Sequence, residues 1–510
     1  MLTLLLILLP LLFSAVLFFI PDGKRSKQAA LVFAVSEGVL AIAATFHIGN
    51  KSLMSFDTAW SSFGARFTLG MDGISMILVL LTGILVPFII FASFRADYNA
   101  RFYSLVLLMQ AALVGVFTAM DGFLFYIFWE LALIPIYFIC LGWGGENRAR
   151  ITFKFFIYTI TGSLIMLVAL LYLYYATPGE HSFAIKDLYA AGHELSRSEQ
   201  GWIFWALFIA FAIKMPVFPF HTWQPDTYVT APTPGTMLLS GIMLKMGTYG
   251  LIRWLIPMVP KGWDSWAMTA IILSIVSIVY ASCLAIVQKD YKRLIAYSSI
   301  AHVGLISAGI FAFNGEGLTG SLLQMFAHGI TVVGLFYIAD IIFSRTKTRN
   351  IESLGGIRAV APDFALLFLI ILLGSIALPL TSSFVGEFLL INGVFQYNNR
   401  AAFFAGLTII LGAVYMLRSY QSMMLGSGNA ANEVSAAGTN APEHENTPTS
   451  ENSVNRISVI FADLNAPEKL FLSLIAILIL FFGVYPKPLI DMVTPAVQEI
   501  MKVFYSGLIG

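Results

Sequence analysis

Long apolar segments alternate with short polar ones along most of this chain, and the pattern predicts helices that cross a membrane. A spanning helix needs about 20 mostly apolar residues, and fourteen such segments can be read. The predicted spans are 2–20, 28–48, 70–94, 102–119, 121–141, 152–176, 201–221, 235–256, 267–287, 294–313, 318–343, 363–392, 400–425 and 469–486. Glu37 weakens the second span, and only Met120 separates the fourth from the fifth. The pattern therefore predicts an all-α polytopic membrane protein.

Two segments depart from this alternation. Residues 426–456 are small, polar and acidic without an apolar period, which predicts a disordered cytoplasmic linker within 426–468, or else simply a tolerated insertion. Residues 488–508 carry Leu489, Val493 and Val497 at helical spacing. They predict an amphipathic helix that lies at the outer membrane face.

Composition supports a chain surrounded by lipid. Of 510 residues, 58% are hydrophobic and 11% are charged, whereas soluble globular chains have about 45–50% and about 25%. The net charge of +1 gives no electrostatic footprint for nucleic acid. Cys140 and Cys283 both lie in apolar runs, which excludes a disulfide scaffold and an iron–sulfur or zinc site.

The distribution of Lys and Arg predicts the orientation. Lys24, Arg25 and Lys27 follow the first apolar span rather than precede it, so this span is not a cleaved signal peptide. If these charges are cytoplasmic, alternate loops assigned to the inside carry sixteen Lys and Arg, and those assigned to the outside carry eight. Both termini are therefore predicted to lie outside.

Ionisable residues near the centre of predicted spans are the main functional signal, because each costs at least about 2.5–3.5 kcal/mol in the bilayer. The six that lie deepest are Glu130, Lys214, Lys245, His302, His328 and Glu387. Glu, Lys and His can all change protonation state when burial and neighbours shift their pKa, whereas Arg cannot. The set predicts a proton relay; the alternative is a set of buried structural polar residues.

Charged residues nearer the span ends predict simpler roles. Asp72 and Asp121 each precede a span and are expected to cap helices. Lys154, Arg253, Asp340 and Arg418 are expected to extend their charged groups toward water.

Proline predicts that two spans are broken. Pro216 and Pro219 follow Lys214, and Pro379 precedes the polar run before Glu387. These spans are five apart, and paired broken helices are typical of transporter ion sites; the alternative is a kink that serves packing. Because five is odd, the second unit would be inverted. The predicted regions are 1–101 (helices 1–3), 102–256 and 257–425 (two repeats), 426–468 (linker), and 469–510 (helix 14 and the amphipathic helix).

Several chemical signatures are absent from the sequence. There is no dinucleotide-binding glycine fingerprint, P-loop, cysteine cluster or paired-histidine haem signature. The chain itself therefore has no visible means to carry electrons or hydrolyse ATP. Proton movement would have to be driven from elsewhere.

Several motifs together resemble the antiporter-like subunits of respiratory complex I. They are DGFLFYIFWELALIPIYF, KFFIYTITGSLIML, KMPVFPFHTWQPDTYVTAPTPG, LKMGTYGL, DYKRLIAYSSIAHVG, MFAHG and SSFVGEF. The resemblance covers nearly the whole chain apart from the linker. At position 387, the sister L and N subunits and Mrp-type antiporters typically have lysine. The glutamate found here makes the chain resemble the subunit M family instead.

This resemblance implies fourteen transmembrane helices in two inverted five-helix repeats, with helices 7 and 12 broken. It implies a Glu130–Lys214 pair in which Glu130 tunes the proton affinity of Lys214. Lys245 would be the central lysine, and the two histidines would join the halves to Glu387. Tyr228, Val229 and Thr230 depart from the family pattern after TWQPD, so no role passes to them.

The resemblance also implies a setting. The chain would translocate protons in the membrane arm of NADH-quinone oxidoreductase, beside L- and N-type subunits in the bacterial inner membrane, with both termini periplasmic. It would hold no cofactor, while NADH, FMN, iron–sulfur clusters and quinone would bind partner subunits.

Three alternatives remain open at this point. The chain could be an Mrp-type cation/proton antiporter subunit, a non-transporting structural module of the arm, or part of a ferredoxin-driven photosynthetic relative.

Overall fold

The computed structural model describes residues 1–60, 64–425 and 461–509, and helices dominate them. The first helices are α1 (Leu2–Phe19), α2 (Lys24–Thr45), α3 (Lys51–Met54), α4 (Gly73–Ser93), α5 (Ala100–Thr118), α6 (Gly122–Leu131), α7 (Leu133–Trp143) and α8 (Arg148–Ala176). The middle of the chain forms α9 (Ile185–Glu194), α10 (Arg197–Lys214), α11 (Gln224–Thr230), α12 (Thr233–Leu238), α13 (Lys245–Gly250), α14 (Pro260–Ile286), α15 (Tyr291–Ala312) and α16 (Gly315–Thr346). The last helices are α17 (Ile357–Val360), α18 (Pro362–Ser375), α19 (Ser382–Tyr397), α20 (Asn399–Tyr420), α21 (Ala466–Val484) and α22 (Lys487–Ile509).

The chain is a multi-pass, all-α membrane protein, and each predicted span overlaps at least one helix of the described residues, while the count of fourteen spans stays a prediction. Within the described ranges, eleven helices are long and apolar enough to cross a membrane. The three other predicted spans are 201–221, 235–256 and 363–392. The division of the chain into two inverted repeats stays a prediction.

Each of those three spans is either interrupted as a helix or carries charged residues. Helix α10 ends at Lys214, and an irregular turn containing Pro216 and Pro219 follows before α11 begins. Helix α18 ends at Ser375, and α19 begins at Ser382, with Pro379 between them. Both breaks were predicted, because proline lacks the N–H that a continuing helix needs.

The interruption of the eighth span was not predicted. Wide-turn π segments, Leu239–Met243 and Leu251–Leu255, flank the short α13. π segments recur at functional sites, and these two lie on either side of the short helix that begins at Lys245. A third π segment, Gln421–Leu425, follows α20, and a 3₁₀ turn covers Ile351–Ser353.

A β-hairpin between α3 and α4 was also not predicted. Strands β1 (Ser55–Ala59) and β2 (Arg66–Gly70) pair antiparallel, with Ser55 opposite Gly70. Leu69 also bridges to Ala119, at the end of α5. The hairpin is short and mostly exposed, so its apolar pattern is too weak to read beside the neighbouring spans.

Contacts between loops sort the helix ends into two faces. On one face, the N-terminal amine donates to Leu53 O (3.0 Å), Arg66 N donates to Asp121 (3.0 Å), and Arg197 pairs with Asp264 (2.9 Å). We call it the N-terminal face. The opposite, basic face carries the pairs Lys27–Asp97, Arg293–Asp226, Lys289–Glu352 and Arg345–Glu468. This grouping matches the predicted alternation of sides, while the compartment that each face meets stays a prediction.

The predicted amphipathic segment forms α22 on the N-terminal face. Its buried positions recur at helical spacing and include Leu489, Val493, Val497, Ile500 and Phe504. The Phe504 ring lies 5.1 Å from the Trp263 ring and 4.3 Å from the Phe313 ring, between centroids. Apolar burial against the bundle therefore holds this helix along the ends of α14 and α15. The predicted linker, residues 426–456, lies outside the described residues.

The bundle has a buried centre and an exposed rim. Helices α15 and α16 are buried along almost their whole length, as are large parts of α4 and α5, whereas about a third of α1 and α2 is buried. The exposed side chains of the outer helices are mostly large and apolar, which suits contact with lipid. The candidate relay histidines lie on the two central helices.

The roles expected for the charges at the span ends are partly confirmed. Asp72 accepts from the amides of Ile74 and Ser75, and Asp121 from those of Phe123 and Leu124, so both cap helices. The expectation that Arg253 extends into water is wrong. Its side chain is buried because it pairs with Asp72, with Nη2 2.5 Å from Oδ2.

Candidate functional site

The six deep ionisable residues lie on six different helices of the described structure. They are Glu130 on α6, Lys214 at the end of α10, Lys245 at the start of α13, His302 on α15, His328 on α16 and Glu387 on α19. Glu130 is half-buried, and the other five are buried. Their mutual contacts separate them into two groups.

Lys245 is in direct contact with His328. Its Nζ lies 2.9 Å from Nδ1 of His328 and donates to the carbonyl of Ser240 at 2.7 Å. Ser240 belongs to the first π segment. The carbonyl orients the lysine, and the imidazole can receive a proton from it or return one.

The contacts continue from His328 to Glu387. The rings of His328 and His302 lie 5.8 Å apart between centroids. His302 Nδ1 lies 2.9 Å from Oε1 of Glu387, and Gln324 Nε2 donates to the same oxygen at 3.0 Å. Four ionisable side chains, Lys245, His328, His302 and Glu387, therefore form one row across α13, α16, α15 and α19; we call it the central row.

Close packing of α19 against α16 places Glu387. A Cβ atom at Gly386 would lie 2.6 Å from Gln324 Oε1 and 2.9 Å from Gln324 Cα. Only glycine allows this approach. The break at Pro379 lies eight residues before Glu387, so α19 can begin at the depth where its carboxylate meets His302.

A small cavity adjoins the two histidines. Its volume is about 10 Å³, close to the room that one water needs. Its polar lining residues are Ser298, Ser299, His302, Gln324, His328, Thr331, Ser375 and Ser383. The hydroxyls of Ser299 and Thr331 have no hydrogen-bond partner among the described residues.

Glu130 and Lys214 form the second group, without a direct bond. Across the described ranges, Nζ of Lys214 and Oε1 of Glu130 have no hydrogen-bond partner, and no ion pair joins them. The Lys214 ammonium instead lies 5.4 Å from the centroid of the Trp129 ring, in the range of a cation–π contact. The expected pair is close enough for electrostatic influence but not bonded.

The broken seventh span holds Lys214 at a helix end. Helix α10 stops there, and Trp223 Nε1 donates to the carbonyl of Ile213 at 2.9 Å. The amide of Phe218, between the two prolines, donates to Ser277 Oγ at 2.6 Å. Side chains thus satisfy backbone groups that the break frees, as a membrane interior requires.

Sequence reasoning assigned no role to three buried polar residues. Gln324 lies one helical turn before His328, and that spacing could have revealed it. His221, in the broken span, is buried and packs against the Tyr280 ring at 5.2 Å. Glu37 is buried on α2, and neither of its carboxylate oxygens has a hydrogen-bond partner in the part of the chain that the structure describes.

The described residues contain no group of three or more His, Cys, Asp or Glu that could hold a metal ion. Cys140 is buried and Cys283 is exposed, and both are free thiols.

Comparison with known proteins shows which proteins this chain is similar to. Residues 119–412 match the family described as NADH:quinone oxidoreductase/Mrp antiporter, TM. NADH-quinone oxidoreductase subunit M of Rickettsia conorii is 37% identical over 505 residues, which are 96% of each chain. F(420)H(2) dehydrogenase subunit M of Methanosarcina mazei is 36% identical over 511 residues, 96% of this chain and 95% of that one. NADH-ubiquinone oxidoreductase chain 4 of Arabidopsis thaliana is 34% identical, over 98% of this chain and 96% of that one.

Solved structures agree. A chain of respiratory complex I from Thermus thermophilus superposes with a TM-score of 0.86 at 29% identity, covering 99% of this chain and 100% of that one. A chain of the Mrp complex from Dietzia sp. has the same fold, with a TM-score of 0.81 at 19% identity, over 100% of this chain and 99% of that one. In both assemblies this kind of subunit sits beside other membrane-arm subunits. With the family match over residues 119–412 and relatives alike along almost their whole length, the chain belongs to the subunit M family of NADH-quinone oxidoreductases, the antiporter-like membrane subunits of complex I.

Proposed function

We propose that this chain translocates protons through the central row, as a membrane-arm subunit of an NADH-quinone oxidoreductase. The observation that carries the proposal is the series of close approaches from Lys245 to Glu387. Lys245–His328 and His302–Glu387 each approach to 2.9 Å, and the two histidine rings lie 5.8 Å apart between centroids. Each member can gain or lose a proton, and neighbours at hydrogen-bond distance can exchange one. A set of purely structural ion pairs would more naturally use Arg, and the row contains none.

Protons would enter the row through Lys214. Glu130 would set how tightly Lys214 holds its proton, through charge rather than through a direct bond. Transfer from Lys214 to Lys245 would then use water or a side-chain movement, and Glu387 would exchange the proton with the outside. The helix breaks at Pro216, Pro219 and Pro379 support this scheme, because they place ionisable residues at helix ends.

We propose that the basic face meets the cytoplasm. Loops with sixteen Lys and Arg lie on that side in the predicted topology, against eight on the other. Both termini would then be periplasmic, in the inner membrane of a bacterium.

The driving reaction would take place in partner subunits. NADH oxidation, with FMN and iron–sulfur clusters, and quinone reduction would occur there, beside neighbours of the L and N type. The 36% identity to an F(420)H(2) dehydrogenase subunit fits a module that can serve different electron donors. The chain would contribute proton translocation and no redox step.

An Mrp-type antiporter subunit is the second candidate, favoured by the shared fold at a TM-score of 0.81. Identity is lower there, 19% against 29% for the complex I chain. Purification of the chain from its native membrane separates the two functions. NADH-dehydrogenase subunits in the purified assembly support the first, and an assembly without them supports the second.

Lys214→Ala tests the relay. Removal of the ammonium should abolish most NADH-driven proton pumping, at least about tenfold or 1.4 kcal/mol in the barrier, while the complex still assembles. Acidification of inverted membrane vesicles and NADH oxidation are measured together. The control is Lys289→Ala, since Lys289 is exposed on the basic face and pairs with Glu352. An assembled and fully coupled Lys214→Ala enzyme contradicts the mechanism.

A further inference from the structure

A column of polar side chains runs from Lys245 to the N-terminal face, away from the central row. Tyr249 follows Lys245 by four residues, and Arg253 follows Tyr249 by four, with its guanidinium carbon 5.9 Å from the Tyr249 ring centroid. Arg253 pairs with Asp72 at the start of α4. Exposure increases along the column, from 0% at Lys245 and Tyr249 to 8% and 37% for the Arg253 and Asp72 side chains.

The outer end of the column is closed by a tight ion pair. Nη2 of Arg253 lies 2.6 Å from Oδ1 and 2.5 Å from Oδ2 of Asp72. The amides of Ile74 and Ser75 donate to Oδ1 at 3.1 Å each. Tyr189 donates its hydroxyl to the Arg253 carbonyl at 2.6 Å, which fixes the backbone there. Both oxygens of the carboxylate are therefore engaged.

The middle of the column contains hydroxyls with free hydrogen-bonding capacity. The Arg253 guanidinium carbon lies 5.9 Å from the Tyr249 ring centroid, and the amide of Ser75 donates to Asp72, so Tyr249 and Ser75 both adjoin the Arg253–Asp72 pair. The Tyr249 and Ser75 hydroxyls are buried and have no hydrogen-bond partner among residues 1–60, 64–425 and 461–509. A hydroxyl can accept at its oxygen while it donates its own proton. Tyr249 can thus relay a proton between the central lysine and the carboxylate.

We propose that this column is a second outlet from Lys245 to the N-terminal face, and that Arg253 keeps it closed. The inference rests on the proposed function, because it assumes that Lys245 carries a translocated proton. In the open state, the Lys245 ammonium leaves the Ser240 carbonyl and His328 and turns toward Tyr249, one turn further along α13. It then gives a proton to the Tyr249 oxygen while the Tyr249 hydroxyl gives its own to the Asp72 carboxylate. No electrons move, and one proton passes from nitrogen to carboxylate.

Arg253 closes this route for two reasons. Its guanidinium stays protonated at all physiological pH values, so it cannot itself carry the proton onward. While it engages both oxygens of Asp72, it stabilises the ionised carboxylate and blocks its protonation. Lys245 can then exchange its proton only with His328.

Arg253→Gln tests whether the Arg253–Asp72 pair keeps the column closed. The complex that contains this chain is reconstituted into vesicles with a trapped pH-sensitive dye, and passive proton permeability is measured after a pH jump without NADH. We expect permeability to rise at least fivefold. In Arg253→Gln/Tyr249→Phe, which lacks the relaying hydroxyl, permeability should return to the wild-type value.

The matched control is Glu468→Gln. This change removes a buried carboxylate that pairs with Arg345 at 2.6 Å and with Arg95 at 3.2 Å, on the basic face and outside the column. It should destabilise the protein without a leak. A leak of equal size in this control overturns the proposal, since any broken ion pair would then suffice.

Two further outcomes overturn the proposal. Wild-type permeability in assembled Arg253→Gln shows that the pair does not close a path, and a leak that persists in the double variant shows that Tyr249 is not on it. If Arg253→Gln does not assemble, Arg253→Lys replaces it, because lysine keeps the charge but replaces the planar guanidinium, whose Nη2 contacts both oxygens of Asp72, with a flexible ammonium. The permeability measurement needs no turnover. A negative result for the second outlet is therefore distinguishable from a negative result for the relay, which Lys214→Ala tests.

Discussion

The two groups of deep ionisable residues differ in how they are connected. In the central row, Lys245 contacts His328, and His302 contacts Glu387, each at 2.9 Å. Glu130 and Lys214 form no such bond, and Lys214 faces the Trp129 ring. The central row is organised for proton exchange between fixed neighbours. The Glu130–Lys214 group is organised to hold a charge whose transfer requires a further step.

This difference suggests where control resides. Groups that lie this close together equilibrate readily, because little has to move. An isolated lysine at a broken helix end passes its proton when water or a side-chain movement bridges the gap. We therefore expect gating at Lys214 and conduction in the central row, and the predictions below separate these roles.

The largest effect is expected from Lys245→Met, which removes the group where the row begins. NADH-driven acidification of vesicles should fall by about tenfold or more, a barrier change of at least 1.4 kcal/mol. The control is Ser240→Ala, because Lys245 bonds the backbone carbonyl of Ser240, which this change keeps. Equal pumping in Lys245→Met and in the control would show that the row does not conduct.

Glu387→Gln is expected to have the next largest effect. The amide keeps the shape of the side chain but removes the carboxylate that contacts His302, so pumping should fall by about 5- to 10-fold, or 1–1.4 kcal/mol. Glu316→Gln is the control, since Glu316 bonds Asn392 near the N-terminal face and lies outside the row. The ratio of protons pumped to NADH oxidised is the measurement, and a wild-type ratio would remove Glu387 from the relay.

Trp129→Leu tests how the Glu130–Lys214 group holds its charge. Loss of the cation–π contact should destabilise the charged Lys214 by about 0.5–2 kcal/mol and shift the pH optimum of pumping downward, because Lys214 then loses its proton more easily. Trp202→Leu, at an exposed position, is the control. An identical pH profile in both variants would show that Trp129 does not hold the lysine.

Gln324→Met should have the smallest effect. It removes one hydrogen bond to Glu387, while His302 remains in place. Pumping should fall by about two- to fivefold, less than in Glu387→Gln, with normal assembly on native gels. A loss as large as that of Glu387→Gln would mean that Gln324 takes part in transfer rather than positioning the carboxylate.

Local signals predicted much of the site. Pro216, Pro219 and Pro379 revealed the two broken spans, because proline acts through its own missing N–H. The six ionisable residues stood out by their depth in apolar segments. The caps at Asp72 and Asp121 followed from their positions before spans. Each of these features depends on a residue and its immediate neighbours.

Other features depend on distant parts of the chain. The pairing of Arg253 with Asp72 joins residues 181 positions apart, and the expectation for Arg253 was wrong because its position near a span end gave no sign of that partner. The π segments around Lys245 arise where packing and the lysine contact outweigh regular helix geometry, which periodicity does not report. The spacing of Gln324 from His328 places it on the same helix face, but its contact with Glu387 on another helix could not be read from that spacing.

A multi-pass helical membrane protein, with ionisable residues at depth and helices broken beside two of them, could be read from the amino-acid sequence. These properties follow from segment length, hydropathy and proline chemistry, which are local. The order of contacts, with Lys245, His328, His302 and Glu387 in one row and Lys214 apart from it, emerged from the folded structure. That order depends on which helix faces pack together, and packing is decided by side chains far apart in the chain.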